Sequence, residues 1–252
     1  MRTAVAVDVV VVNYHTPQML RDFVRSYADN SFGDCTLTVV DVESRGYTAV
    51  GTWDYYMNVE ENCGYGRACN EGAKNGSNDV ILLANADTIL TYGFKECHDA
   101  LMDNADWGVL GPRQVNGVGQ ITAGGTFGTP QHMDHRGWRE VDTGYYSDVR
   151  EDALTVSGSL YFIKRKVWDE LMRCPYAPNR NGAFLETPHY YDETWCSFHA
   201  RAHGYKCVYY GPVKMIHYWH SASPIGGWAE QQWSRALEMY RAACAVHAIE
   251  CE

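Results

Sequence analysis

No two of the nine cysteines (Cys35, Cys63, Cys69, Cys97, Cys174, Cys196, Cys207, Cys244 and Cys251) have CxxC spacing, which argues against a zinc knuckle. Positive charge is also scarce. The formal net charge is -10, so nothing global draws the chain to a phosphate backbone or an anionic membrane. A nucleic-acid acceptor would need a local basic patch, and the short run Lys164-Arg165-Lys166 reads as a solvated end of an element. No apolar stretch is long enough to span a bilayer. Met1-Arg2-Thr3 leads at once into a strand-like run, without the charged start, apolar core and cleavage site of a secretion signal. The expectation is a cytoplasmic chain with reduced thiols and no transmembrane anchor. The turn after the first strand-like run, Asn13-Tyr14-His15-Thr16-Pro17, lacks a glycine-rich phosphate cradle. This argues against a dinucleotide dehydrogenase and a P-loop enzyme, and weakens a sugar-nucleotidyltransferase reading.

What is present is an ordinary globular composition, 46% hydrophobic and 21% charged over 252 residues. Val5 to Val12 is a β-branched run of the kind buried on both faces of a parallel sheet. Thr16-Pro17 signals a helix start, followed by Leu20, Phe23, Val24 and Tyr27 at helical spacing. Strands are expected at 36–42, 55–59, 80–84 and 107–110, with helices at 66–74 and 91–104. This alternation predicts an α/β fold with a mainly parallel, Rossmann-like sheet flanked by helices. Residues 112–153 read as loops and short strands, 154–163 and 205–210 as strands, and 192–203 as a helix. Trp233, Leu237, Tyr240, Cys244 and His247 mark a C-terminal amphipathic helix within 224–252. The expected organisation is one domain over 1–223, with a nucleotide-binding half (1–111) and an acceptor half (112–223).

Ligands of open parallel sheets bind at the carboxyl ends of the strands, so the residues just past each strand are the first candidates for a site. Asp41, with Glu43 after it, can accept a hydrogen bond from a nucleobase N–H, or simply cap its loop. The stretch from Glu61 through Asn62, Gly64, Arg67 and Asn70 combines small residues with a cation able to neutralise phosphate. Asn85-Ala86-Asp87 presents a polar pair at i and i+2 past a buried strand, a pattern of oxygen ligands suited to Mn²⁺ or Mg²⁺, or else an ordinary surface turn. Asp192-Glu193, in the aromatic run Tyr190-Tyr191 and Trp195, suits a general base of raised pKa and equally suits an acidic helix N-terminus. His217 and His220 are imidazoles placed to complete a metal site or to serve the structure.

Taken in order, these motifs resemble the family 2 inverting glycosyltransferases of GT-A fold, most nearly the rhamnosyltransferase-like branch. The opening strand through Asn13, Val39-Val40-Asp41, Glu61-Asn62-Cys63-Gly64-Tyr65 with Asn70-Glu71-Gly72, Leu83-Ala84-Asn85-Ala86-Asp87, Val156-Ser157-Gly158-Ser159, Asp192-Glu193, Arg201 to Pro212 and His217 carry the likeness over residues 7–223. Asn85 stands where a strict DXD motif has Asp, the ED pair is reversed, and 112–150 match nothing placed. The resemblance implies inverting transfer of a sugar from a UDP-, dTDP- or GDP-linked donor to a hydroxyl acceptor. That acceptor would be a glycan, a lipid-linked glycan, a protein or a modified nucleic acid. Asn13, Asp41, Glu43, Asn62, Gly64, Arg67, Asn70, Asn85 and Ala86 would serve the donor, and Asp87 and His217 the divalent cation. Glu193 or Asp192 would be the base, and Gly158, Tyr190, Tyr191, Trp195 and His220 would meet the acceptor. A non-catalytic nucleotide-sugar-binding module and a nucleotidyltransferase are the competing readings.

Overall fold

The computed structural model describes residues 6–43, 52–130, 132–175, 177–219 and 231–246. β1 (Val7–Tyr14), β2 (Thr36–Val42), β3 (Tyr55–Val59) and β4 (Val80–Asn85) form a parallel block in the order β3-β2-β1-β4. β1 shows why a continuous apolar run belongs here. Val7, Val9 and Val11 enter one core cluster, and Val10 and Val12 enter the other. Alternate side chains point to opposite faces of a strand, so both faces of β1 must be apolar. The first cluster is completed by α1 (Pro17–Asn30) and α3 (Phe94–Asp103), the second by α2 (Tyr65–Gly72), α4 (Arg165–Arg173) and α5 (Asp192–Ala202).

Beyond β4 the sheet continues through β11 (Leu160–Lys164), β6 (Trp107–Val115), β12 (Lys206–His217) and the short edge strand β10 (Val149–Arg150). β11 is antiparallel to both β4 and β6, and β12 is parallel to β6. Hence β1, β2, β3, β4, β6 and β12 share one direction, and the expected mainly parallel α/β sheet is present. β5 (Thr88–Ile89) and β7 (Ile121–Ala123) add short antiparallel pairings to β12 and β6. β8 (Thr126–Thr129) and β9 (His132–His135) form a separate hairpin. α6 (Trp233–Val246) lies against α5 through Tyr240, Ala243 and Cys244, which pack with Leu185, Trp195 and Phe198.

Several expected boundaries move. β6 runs five residues past Leu110, because β12 continues beyond Gly211-Pro212 and pairs again at Lys214↔Arg113, Met215↔Gln114 and Ile216↔Val115 after a register shift. A proline cannot donate to the ladder, so the strand bulges there rather than ending. The division at residue 111 therefore falls inside β6. Residues 154–159 are not strand but a turn-rich approach to β11. Thr16 flanks α1 as expected, yet its hydroxyl donates to Asn13 Oδ1 at 2.9 Å instead of capping the helix. Of the run Lys164-Arg165-Lys166 only Lys166 is exposed to solvent as expected. Lys164 is buried with Nζ 2.5 Å from the Asn104 carbonyl, and burial pushes its pKa down to about 8. Arg165 opens α4, a helix with no counterpart among the expected elements. Among the described residues seven cysteines are free thiols, whereas Cys244 is disulfide-bonded, which corrects the expectation of a fully reduced chain. Among the described residues no helix is long and apolar enough to cross a membrane.

Asp8, the one charge inside the β1 run, is 1% exposed. Its carboxylate accepts from Arg165 Nη2 at 2.6 Å, the Thr36 hydroxyl at 2.7 Å and the Asn78 backbone N–H at 2.9 Å, tying β1, β2 and α4 together. Removing one member of such a pair strands the other. Asp8→Ala is therefore expected to lower stability by about 3–5 kcal/mol, read as a fall in the urea midpoint at unchanged slope.

Candidate active site

The carboxyl ends of β1, β2, β4 and β12 surround a cleft of about 530 Å³. Of the residues singled out in the sequence, Asn62, Gly64, Asn85, Ala86, Asp87, Gly158, Tyr190, Tyr191, Asp192, Glu193 and His217 line it. Residues more than a hundred positions apart meet here because β5 pairs with the end of β12 in the register His217↔Thr88. This sets His217 Nε2 3.4 Å from Asp87 Oδ1, with both side chains buried. The other ring nitrogen, Nδ1, is buried without a hydrogen-bond partner. The Nε2 edge of His217 facing the Asp87 carboxylate is a donor pair of the kind a divalent cation takes, and equally an ordinary imidazole–carboxylate contact. Asp87 and His217 are the residues that would hold such an ion.

Across the cleft, Asp192 and Glu193 occupy the first turn of α5, where unpaired backbone N–H groups favour negative charge. Asp192 is 2% exposed, and its Oδ1 lies 3.4 Å from the Thr187 hydroxyl. Desolvation, reinforced by the Glu193 charge, pushes its pKa well above the ordinary aspartate value. Glu193 is half-buried. Burial raises its pKa too, but hydrogen bonds from the backbone N–H groups of Glu193, Thr194 and Gly158 favour its ionised form. Gly158 lies so near that an added Cβ would stand 3.3 Å from the Glu193 side chain. The carbonyl of Gly158 accepts from the Tyr65 hydroxyl at 2.7 Å.

The glycines after β3 also serve packing, Gly64 while lining the cleft. Gly64 has φ +83°, and a Cβ there would fall 2.5 Å from the Thr187 carbonyl oxygen. At Gly66 it would fall 2.4 Å from the Leu185 carbonyl oxygen. These glycines let the segment leading to Asp192 lie on the start of α2. Asn70 acts on the same segment. It is fully buried, donates to the Phe184 carbonyl at 2.9 Å and accepts from the Phe184 N–H at 3.1 Å, so it braces the cleft wall rather than lining it.

Other predicted residues also stand behind the cleft. Asp41 is fully buried and accepts from Asn13 Nδ2 at 2.8 Å and the Tyr56 hydroxyl at 2.7 Å. Glu43, at φ +55°, accepts from the Asn62 N–H at 3.1 Å and lies 3.5 Å from His15. Arg67 is exposed on α2, away from the cleft. Trp195 is 1% exposed in the core between α5 and α6, because position 195 falls on the inward side of α5. It is not a sugar platform. His220 lies outside the described residues.

Part of the wall had no recognised motif. His135, Arg136 and Trp138, at the end of the β8–β9 hairpin and after it, line the cleft with Trp219 and Trp233. Trp138 and Trp219 meet edge to face at 4.8 Å. Tyr190 and Tyr191, both left-handed at φ +67° and +66°, meet Trp233 edge-on at 5.1 and 5.2 Å. The aromatic richness of these stretches was the available signal.

No protein family matches the sequence, and no curated protein does. Solved structures do. A mannosyltransferase from Pyrobaculum calidifontis, PcManGT in complex with GDP-Man and Mn²⁺, superposes with a TM-score of 0.61 at 14% identity over 97% of this chain and 68% of that one. S. aureus TarS 1-349 gives 0.59 at 14% over 97% and 83%. Its complex with UDP-GlcNAc gives 0.58 at 14% over 84% and 58%. The chain thus shares the fold of these proteins.

The raised pKa of Asp192 carries a stability cost. A group whose folded pKa exceeds its unfolded pKa stabilises the fold below the unfolded value, and that contribution is lost as pH rises through the folded value. Asp192→Asn is therefore expected to raise Tm at neutral pH, with the gain vanishing below the ordinary aspartate value of 3.8. Thermal melts of both proteins across pH check this, and an equal Tm difference at every pH would contradict it.

Proposed function

We propose that this protein is a glycosyltransferase that moves a sugar from a nucleoside-diphosphate sugar to an acceptor hydroxyl, assisted by a divalent cation. The observation that carries the reading is the pairing of Asp87 with His217 on one side of a single cleft and Asp192-Glu193 on the other. The shared fold supports it, since PcManGT is complexed with GDP-Man and Mn²⁺ and TarS with UDP-GlcNAc. The family 2 resemblance and inversion at the anomeric carbon belong to the same proposal.

Asp87 and His217 would hold Mn²⁺ or Mg²⁺, with Asn85 and Ala86 beside the diphosphate. The cation would offset charge developing on the leaving nucleoside diphosphate. Glu193 is the better placed base. It is the more exposed of the pair, and three backbone N–H groups favour its carboxylate. In a single displacement the acceptor oxygen attacks the anomeric carbon, the bond to the diphosphate breaks, and the hydroxyl proton passes to the Glu193 carboxylate. Asp192, its pKa pushed up by burial, positions the α5 turn through its contact with the Thr187 hydroxyl. Asp41, with Asn13, Glu43 and Asn62, would bound the nucleobase side, Asp41 exchanging its Tyr56 contact for a base N–H. Asn70 would act by bracing the cleft wall. Tyr190, Tyr191, Trp138 and Trp219 offer apolar surface to a sugar acceptor. The acceptor is a glycan, lipid-linked glycan, protein or modified nucleic acid met without a membrane-spanning helix among the described residues.

Glu193→Gln is expected to reduce kcat by at least about 10²-fold while the donor still binds, measured by calorimetry alongside initial rates. Near-normal turnover in Glu193→Gln with loss in Asp192→Asn would move the base to Asp192. Asp87→Ala is expected to abolish the Mn²⁺ dependence of donor binding. Unchanged dependence would remove Asp87 from the metal site.

A further inference from the structure

We infer a second metal site, a zinc site, at the far end of the catalytic helix, formed by Cys174, His199 and His203. Cys174 closes α4, while His199 and His203 stand four residues apart at the end of α5 and so share one helix face. One ligand atom from each residue, the Cys174 sulfur and a ring nitrogen of each histidine, lies within 4.8 Å of the others. Around tetrahedral zinc such atoms stand roughly 3.3–3.6 Å apart, given Zn–N of about 2.0 Å and Zn–S of about 2.3 Å. Side-chain adjustments of about 1 Å would close the cluster.

A second feature points to the same ligand. Metal-bound histidines characteristically present their other ring nitrogen to a carboxylate. His203 Nδ1 lies 2.9 Å from Glu170 Oε1, and the other oxygen of Glu170 accepts from the Tyr205 hydroxyl at 2.7 Å. That arrangement fixes the ring and leaves His203 Nε2 for the ion. A thiolate with two imidazoles selects zinc over the hard cations suited to Asp87. His199 is buried, Cys174 half-buried and His203 at the surface, so the fourth position faces solvent and is taken by water. Binding replaces the thiol S–H by an S–Zn bond and releases the proton.

The site lies about 9–15 Å along α5 from Glu193, and it would clamp that helix to α4. It is independent of the sugar-transfer reading. Chelator-treated, reduced protein titrated with Zn²⁺ is expected to bind one ion with a rise in Tm. Co²⁺ in its place is expected to give the thiolate-to-cobalt charge-transfer absorption. Cys174→Ser should abolish that absorption, and His203→Ala or Glu170→Gln should weaken zinc binding about tenfold or more. Asp87→Ala should leave both signals intact. Absence of the cobalt–thiolate band in the wild type, its persistence in Cys174→Ser, or its loss in Asp87→Ala would overturn the site.

Discussion

Like charge gathered around one cleft is the constraint on which the rest of this structure depends. Asp87, Asp192 and Glu193 face a common space in a chain of net charge -10. The N-terminus of α5 stabilises its acidic pair by only about 0.3–1 kcal/mol. Backbone N–H groups on Glu193 and the imidazole beside Asp87 offset part of this charge, while desolvation and the Glu193 charge push the pKa of Asp192 up. A cleft so charged favours a cation and a ligand that arrives with one.

The fold supplies the geometry by splitting the work between two sheet regions. The parallel block β3-β2-β1-β4 delivers the Asn85-Ala86-Asp87 turn, while β12 pairs with both β6 and β5 and delivers His217. Gly64, Gly66 and Asn70 then seat the segment that carries Asp192 and Glu193. α6 closes the side, with Trp233 reaching the cleft and Tyr240 stacked on Tyr191 at 4.9 Å.

Much of this was legible in the sequence where local chemistry decides. The spans of β2 and β3 are those read from the β-branched and aromatic runs, and the acidic start of α5 was read from Asp192-Glu193. Pairings between distant segments were not legible. Nothing in Gly211-Pro212 says that β12 resumes after its bulge, because the partner Arg113-Gln114-Val115 decides it. Nothing in Asp41 or Asn70 separates a donor contact from a brace, because each is a polar residue after a strand or within a helix, and only tertiary packing shows what its oxygen and nitrogen atoms meet. Lys164-Arg165 looked solvated because Asp8, its counter-charge, lies over 150 residues earlier. The aromatic wall from Trp138 and Trp219 belongs to the stretches least constrained by any periodicity.

The central claim is that the cleft transfers a sugar from a nucleotide. Its most direct test tracks the group that leaves the nucleotide when the protein is incubated with Mn²⁺ and a panel of UDP-, dTDP- and GDP-sugars, alone and with glycan acceptors. The account predicts release of a nucleoside diphosphate from one donor class, accelerated by an acceptor. No nucleoside diphosphate from any donor in the panel, with pyrophosphate released instead when a nucleoside triphosphate and a sugar phosphate are supplied, would contradict it.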